Sequence, residues 1–493
     1  MAMYFYASRL SAAVCSCMPP PGQVLHDRGS SPEMSPTEPE APVPIATAPA
    51  PADPALQKTA AEGNASEPEE QEEEKKPDTC AGTSEVDYRE GRLVSGTVQV
   101  LVQLLVEDSL DDSFFFAFIL CARLFVKPHD LLGDVISLGE SMADKTLPSN
   151  KDRLASWLPR IIELLRRWTQ QFPYDFRDDR VMAYVRGVTH RCVILEETVR
   201  DDVSEILQRL LDRLQRLEKH EERLRRLALD TVTVDVLDVC GDSQVLAEQL
   251  TVLEMERMSF IGSEEFVQAF LQDHQRLDTK NTHNLENYVS WFDRLSYFVA
   301  THISQQTKSK GRAKALHLWI EVARHCLQMN NFNSLMAILA GVNLPPIARL
   351  KKTWSRVDRQ ELVILEAAMG PSSQFSGYRS LLQEAVQSPP QLLVPFFSLF
   401  VKDAYFLIEE CSQQLPNGHI RFESFEKLSN QLLQFTRWKT TECPYHRIDS
   451  LAFLMEAGSV FSETELYLAS FEIEPPEIDH EIESYKIYKS RMS

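Results

Sequence analysis

No run of about 18 apolar residues occurs in this 493-residue chain, which excludes a membrane-spanning helix. Cysteine is sparse. The nine present are scattered and never spaced C-x-x-C, so neither a disulfide framework nor a structural zinc site is expected. Positive charge is in deficit, with 51 Lys and Arg against 72 Asp and Glu, a net charge of -21. That balance argues against nucleic acid or an anionic membrane as the main partner. The phosphate-cradling G-x-x-x-x-G-K-[ST], the nucleophile elbow G-x-S-x-G and the zinc-binding H-E-x-x-H are all missing. A covalent enzyme is therefore not expected, and neither a cofactor nor a metal is implied. The start, MAMYFYASRLSAAVCSC, is interrupted by Arg9 and has no basic leader region, so no signal peptide is expected and the chain reads as cytoplasmic.

What is present divides the chain. Residues 1–90 hold 16 acids and 6 bases, a charge of -10, which leaves -11 for the rest. Thirteen of the 27 prolines lie at or before Pro77. Such a stretch cannot bury enough apolar surface to offset its ordering entropy, so residues 1–85 are expected as a disordered tail. Cys15 and Cys17 within it are a possible acylation site, with incidental cysteines the plainer reading. Helix-length apolar patterns follow, as in GTVQVLVQLLV and LASWLPRIIELLRRWTQQF, over residues 86–200. Val203, Leu207, Leu210, Leu214, Leu217 and Leu224 then alternate spacings of four and three, with Glu221 interrupting. This is a heptad stripe. It is short, so a connector helix over residues 201–232 that lies on a neighbouring domain is favoured over a dimeric coiled coil.

From residue 233 the pattern is helical almost to the end. Leu316, Trp319, Ile320, Ala323 and Leu327 form one face; Phe397, Phe400, Val401, Ala404 and Leu407 a second; Phe422, Phe425, Leu428, Leu432 and Phe435 a third. QQLPNGH separates the last two, which reads as an αα-hairpin. Strand-like alternation is scarce, and the fold class expected is all-α. His317 and His325, eight apart on one helix, read as ordinary packing. RLKKTW, the basic cluster ending at Trp354, reads as a helix end or loop.

Five blocks carry a resemblance: LAEQLTVLEMERM (Leu246–Met258), WFDRLSYFVATHI, GRAKALHLWIEVARHC with NNFNSLMAILAGVNLPP after it, PFFSLFVKDAYFLIEE, and SETELYLASFEIEPPE. In this order they resemble the catalytic domain of Ras guanine-nucleotide exchange factors, over residues 233–478. FFFAFILCARLFVKPHDLL and LLRRWTQQFPYDF resemble the N-terminal Ras exchanger motif that accompanies it. The resemblance implies a helical exchanger-motif domain, a helical catalytic domain with a protruding hairpin, and a C-terminal tail at 479–493. It implies a protein that opens the nucleotide site of a Ras-family small GTPase, of Rap or Ras type, so that GDP leaves and GTP enters. The chain would act as a monomer recruited peripherally to a membrane-bound GTPase. An inert GTPase-binding scaffold of the same fold is the alternative.

The family's contact residues map onto five positions. Phe396 matches an aromatic that anchors a switch loop, and Glu409 an acid directed at the metal and phosphate region. Tyr405, one turn before Glu409, stands where the Son-of-sevenless type carries leucine. Asn333, the second asparagine of NFN, matches a switch contact, and Arg312 an arginine supporting the same surface. The loop CSQQLPNGHIRFESF departs from the commoner hairpin tip, which leaves the choice of GTPase open.

Overall fold

The computed structural model describes residues 85–492, except 108–110, 144–145, 193–194, 196, 231, 272–281 and 388–391. The expected tail, with Cys15 and Cys17, lies outside the described residues. Within them, helices make up nearly all the regular structure between Val98 and Met492, and no described helix is long and apolar enough to cross a membrane.

The N-terminal part begins with a small antiparallel pair, β1 (Val86–Arg89) and β2 (Arg92–Gly96), turned by Glu90 and Gly91 in left-handed backbone. Helices Val98–Glu107, Asp112–Ala122, Pro128–Ser141, Asn150–Gln171 and Asp179–Cys192 follow. Asp111 starts the second by accepting the Ser113 N–H, and Ser149 starts the fourth by accepting the Asp152 N–H, so each satisfies a donor the helix cannot. Asp112–Ala122 (DSFFFAFILCA) is apolar almost all round and buries every residue from Phe115 to Ala122. A helix with no polar face must be enclosed. It is enclosed partly by the C-terminal half of the chain.

The heptad stripe belongs to a single 31-residue helix, Glu197–Leu227. Val203, Ile206, Leu210 and Leu217 are buried, and the helix lies against Asn150–Gln171 and Asp179–Cys192. The stripe is thus covered within the chain. Glu221, which interrupts it, is itself buried and receives a two-pronged bond from Arg177 at 2.8 and 3.1 Å. His220 beside it stacks on Phe260.

In the C-terminal part, helices Ser243–Ser259, His283–Gln305, Ser309–Gln328 and Phe332–Val342 form the centre. Gly341 permits the closest approach there, since a Cβ on it would stand 2.5 Å from the Ser296 carbonyl. Phe397–Cys411 and Phe422–Thr440 are the two arms of the hairpin. The tip turns through Gly418 (φ +81) and then adds a two-residue strand, β3 (Ile420–Arg421), to β2. That ladder is too short to show alternation, which is why the sequence pattern does not reveal it. Phe114 stacks on Phe422 and Phe125 on Phe425, so the second arm rests on the N-terminal helices. One contiguous core runs from Leu101 to Leu466. Residues 479–492, expected as a tail, carry a helix that docks through Tyr467–Tyr488 and Phe471–Tyr485 ring contacts.

Candidate functional site

The three asparagines of NNFN have three separate tasks. Asn330 takes left-handed backbone (φ +55), which asparagine tolerates better than most residues, and its carbonyl accepts the Val394 N–H. Asn331 caps the helix Phe332–Val342 by accepting the Ser334 N–H at 3.0 Å. Asn333 is buried and joins two elements. Its Nδ2 donates to both carboxylate oxygens of Glu254, at 3.2 and 3.1 Å, while its Oδ1 accepts the Phe397 N–H at 3.2 Å. Phe397 opens the first arm, so its N–H is one that no helical carbonyl can reach.

Glu254 is wholly inaccessible to solvent. Burial raises its carboxyl above the usual range, and donors from Asn333, Ser334 (2.7 Å) and Trp291 (3.2 Å) oppose the rise. A buried carboxylate unpaired with donors is costly, so these groups fix one another. The first arm is thereby pinned at its base to the centre of the domain.

Phe396, just ahead of that arm, is also buried. Its N–H donates to the Tyr378 hydroxyl at 3.0 Å, and its ring packs against Phe292, Phe375 and Tyr378. Ser373, Gln374 and Phe375 all have positive φ, an arrangement that costs of order 1 kcal/mol per residue and carries Phe375 inward. Arg379 then binds Asp403 of the first arm through both guanidinium nitrogens, at 2.8 and 3.0 Å. Asn333 and Phe396 therefore meet at one place, the root of the hairpin.

Farther along the arm the environment opens. Tyr405 is half-buried, with its ring edge-on to Phe270 at 4.9 Å. Glu409 is exposed and its side chain has no partner among the described residues, whereas Glu410 is held by Lys427 and Ser424 of the second arm. Between Tyr405 and Glu409 stands Phe406, 52% exposed. Sequence reasoning missed it because its neighbours make the buried stripe. A phenylalanine out of step with that stripe was the available signal.

Arg312 is elsewhere. It is buried and donates to Thr353, to the Gln306 and Thr307 carbonyls, and to Glu474. Glu474 also accepts the N–H groups of Lys352 and Thr353. This knot closes the RLKKTW turn onto the IEP segment. Arg349 of the same cluster binds the Ser470 and Glu474 carbonyls and Glu481, and lies over Phe471. Arg312 shares no contact with Asn333 or Phe396 and holds the scaffold, not the hairpin root.

Glu254 was missed as a site residue, although it lies within the block LAEQLTVLEMERM. Acids are too numerous in this chain for one more to stand out.

Residues 245–426 match the model of the RasGEF domain, and residues 92–191 that of the RasGEF N-terminal motif. Among curated proteins, Ras-GEF domain-containing family member 1B from Pongo abelii is 41% identical over 446 residues, which cover 84% of this chain and 94% of that protein. The human protein of that name is 41% identical over 447 residues, with the same coverage. Human Ras-GEF domain-containing family member 1C is 38% identical over 427 residues, 81% of this chain and 91% of that one.

Proposed function

The chain belongs to the Ras guanine-nucleotide exchange factor family, and from that premise we propose that it releases nucleotide from a Ras-family small GTPase by inserting the first hairpin arm beside the nucleotide site. The observation that carries this reading is the asymmetry of that arm: Asn333 and Glu254 pin its root, while Phe406 and Glu409 stand free on its outer half.

The physics is linkage. A factor that binds the nucleotide-free GTPase better than the loaded one lowers nucleotide affinity by the same ratio. No bond is made or broken, so no nucleophile is needed. Phe406 and Tyr405 supply apolar contact area, and Glu409 brings negative charge toward the place of the metal and phosphates. Asn333 and Phe396 support the arm from inside the fold at its root, while Arg312 braces the scaffold away from it. The GTPase is of Rap or Ras type, with Rap preferred on the family resemblance. The protein works in the cytoplasm as a monomer recruited to a membrane-held GTPase.

Release of a fluorescent guanine nucleotide from a panel of Ras, Rap and Ral proteins tests this. Acceleration on one subfamily is expected. Binding to the nucleotide-free GTPase with flat release traces across the panel would establish an inert scaffold instead.

A further inference from the structure

A groove of about 600 Å³ runs between the connector helix and the C-terminal part, lined by helix Asn150–Gln171, Tyr174, the connector residues 206–216, Phe260, Gly262 and Lys439. Its volume suits a small ligand. Its charge is unusual for so acidic a chain. Arg166, Arg209, Arg213, Arg216 and Lys439 line it, against Asp212 alone among the acids. Arg166 and Arg209 are satisfied by Glu163, Asp202 and Glu205. The other three cations are not neutralised. Arg213 donates to the Gln170 carbonyl, Lys439 to the Ile261 carbonyl, and Arg216 has no partner among the described residues. Asp212 is engaged by Gln208 at 2.9 Å. Beneath the floor, burial raises the carboxyls of Glu264 and Glu265, the latter to about 8, and burial lowers the Lys439 amine to about 8 against the pull of those two acids.

Arg209, Arg213 and Arg216 stand at i, i+4 and i+7, hence on one face of the connector helix. The fork of an arginine matches a phosphate oxygen pair, and lysine adds a point charge from the opposite wall. A chain of net charge -21 repels long polyanions, so only a compact one, recognised locally, fits the setting. We propose that this groove binds a compact ligand carrying two or more phosphate groups, held by Arg213 and Arg216 on one side and Lys439 on the other. The assignment is independent of which GTPase the hairpin serves. The ligand would bridge the connector to the last turn of the second hairpin arm, so its binding raises the melting temperature of the whole core.

The test uses the full chain and inositol trisphosphate as probe, followed by calorimetric titration and thermal melting. Saturable binding with a rise in melting temperature is expected, with inorganic phosphate much weaker. Arg216→Gln should keep the ligand-free melting temperature and bind about tenfold more weakly, the scale of one charge-assisted contact. Lys439→Met should lose affinity similarly. Arg225→Gln, the same charge change on the same helix outside the groove, should alter affinity by no more than about twofold. Absence of saturable binding, an Arg216→Gln variant that binds as wild type, or an equal loss in Arg225→Gln would each overturn the site. A parallel arm uses neutral vesicles with and without phosphatidylinositol bisphosphate. Arg216-dependent vesicle binding supports a lipid headgroup as the source, and binding of the free probe alone supports a soluble phosphate.

Discussion

The two arms of the hairpin each carry an apolar stripe, and the stripes meet opposite fates. In the second arm Phe422, Phe425, Leu428, Leu432 and Phe435 are all buried, against the first arm, the N-terminal helices and the centre of the domain. The first arm buries Phe397, Phe400, Val401, Ala404 and Ile408 but leaves Phe406 and Glu409 in solvent. One arm spends its whole apolar face on stiffness. The other keeps part of its surface for something outside the chain. A wedge needs both, since a lever that bends cannot hold a position against a tightly bound ligand.

The comparison breaks most completely at the second arm. Phe425→Ala should destabilise the fold by about 3–5 kcal/mol, as large-to-small core changes do, and abolish exchange through unfolding. A chemical-denaturation midpoint close to wild type would show that the second arm is not the brace. At the root, Asn333→Ala leaves Glu254 short of a donor and the Phe397 N–H unpaired. The expected cost is about 2–3 kcal/mol, with loss of exchange in protein that is still folded. Full exchange activity in that variant would mean that the arm does not depend on its pin. On the free half, Phe406→Ala should change stability by no more than about 0.5 kcal/mol. It should nonetheless slow exchange about tenfold, as removal of an interface aromatic does. Unchanged release rates would show that the exposed ring faces no partner.

A pH-dependent effect lies away from both arms, where the connector meets the domain. Burial, aided by Arg223 and Arg257, pushes the His220 imidazole down to about 3 from its ordinary 6.5. Between those values the unfolded chain binds the proton and the folded chain does not. Stability from this group is complete above pH 6.5 and falls as pH drops below it. The slope approaches about 1.4 kcal/mol per pH unit. Thermal melts of wild type and His220→Gln between pH 7 and 5 should diverge, with the variant flatter. Parallel curves would place the acid sensitivity elsewhere.

Much of this was legible before any coordinates. The stripe Phe422–Phe435 is buried at every position named, and so are Phe397, Phe400, Val401 and Ala404 of the first arm. Apolar periodicity is a local record of which face must leave water, and it survives in the sequence as spacing. The family resemblance rested on five ordered blocks and is matched by the comparisons over most of the chain. Leu407 was assigned to the buried face where Ile408 takes the deeper place, because i+3 and i+4 from Ala404 fit the helical spacing equally well.

What the sequence by itself determined is the class of each segment: which were helical, which face of each was apolar, where the hairpin turned, and which family the order of blocks resembles. These follow from neighbours within a few residues along the chain. Tertiary structure alone decided the partners of the buried polar groups. Asn333 finds Glu254 across 79 positions, Arg312 finds Glu474 across 162, and Ser95 of β2 lies within 3.2 Å of the His419 ring across 324. A carboxylate, an amide and a guanidinium look alike in sequence whether solvated or enclosed. Only the packing of distant helices removes the water, and with it every alternative partner, so that one hydrogen bond becomes obligatory.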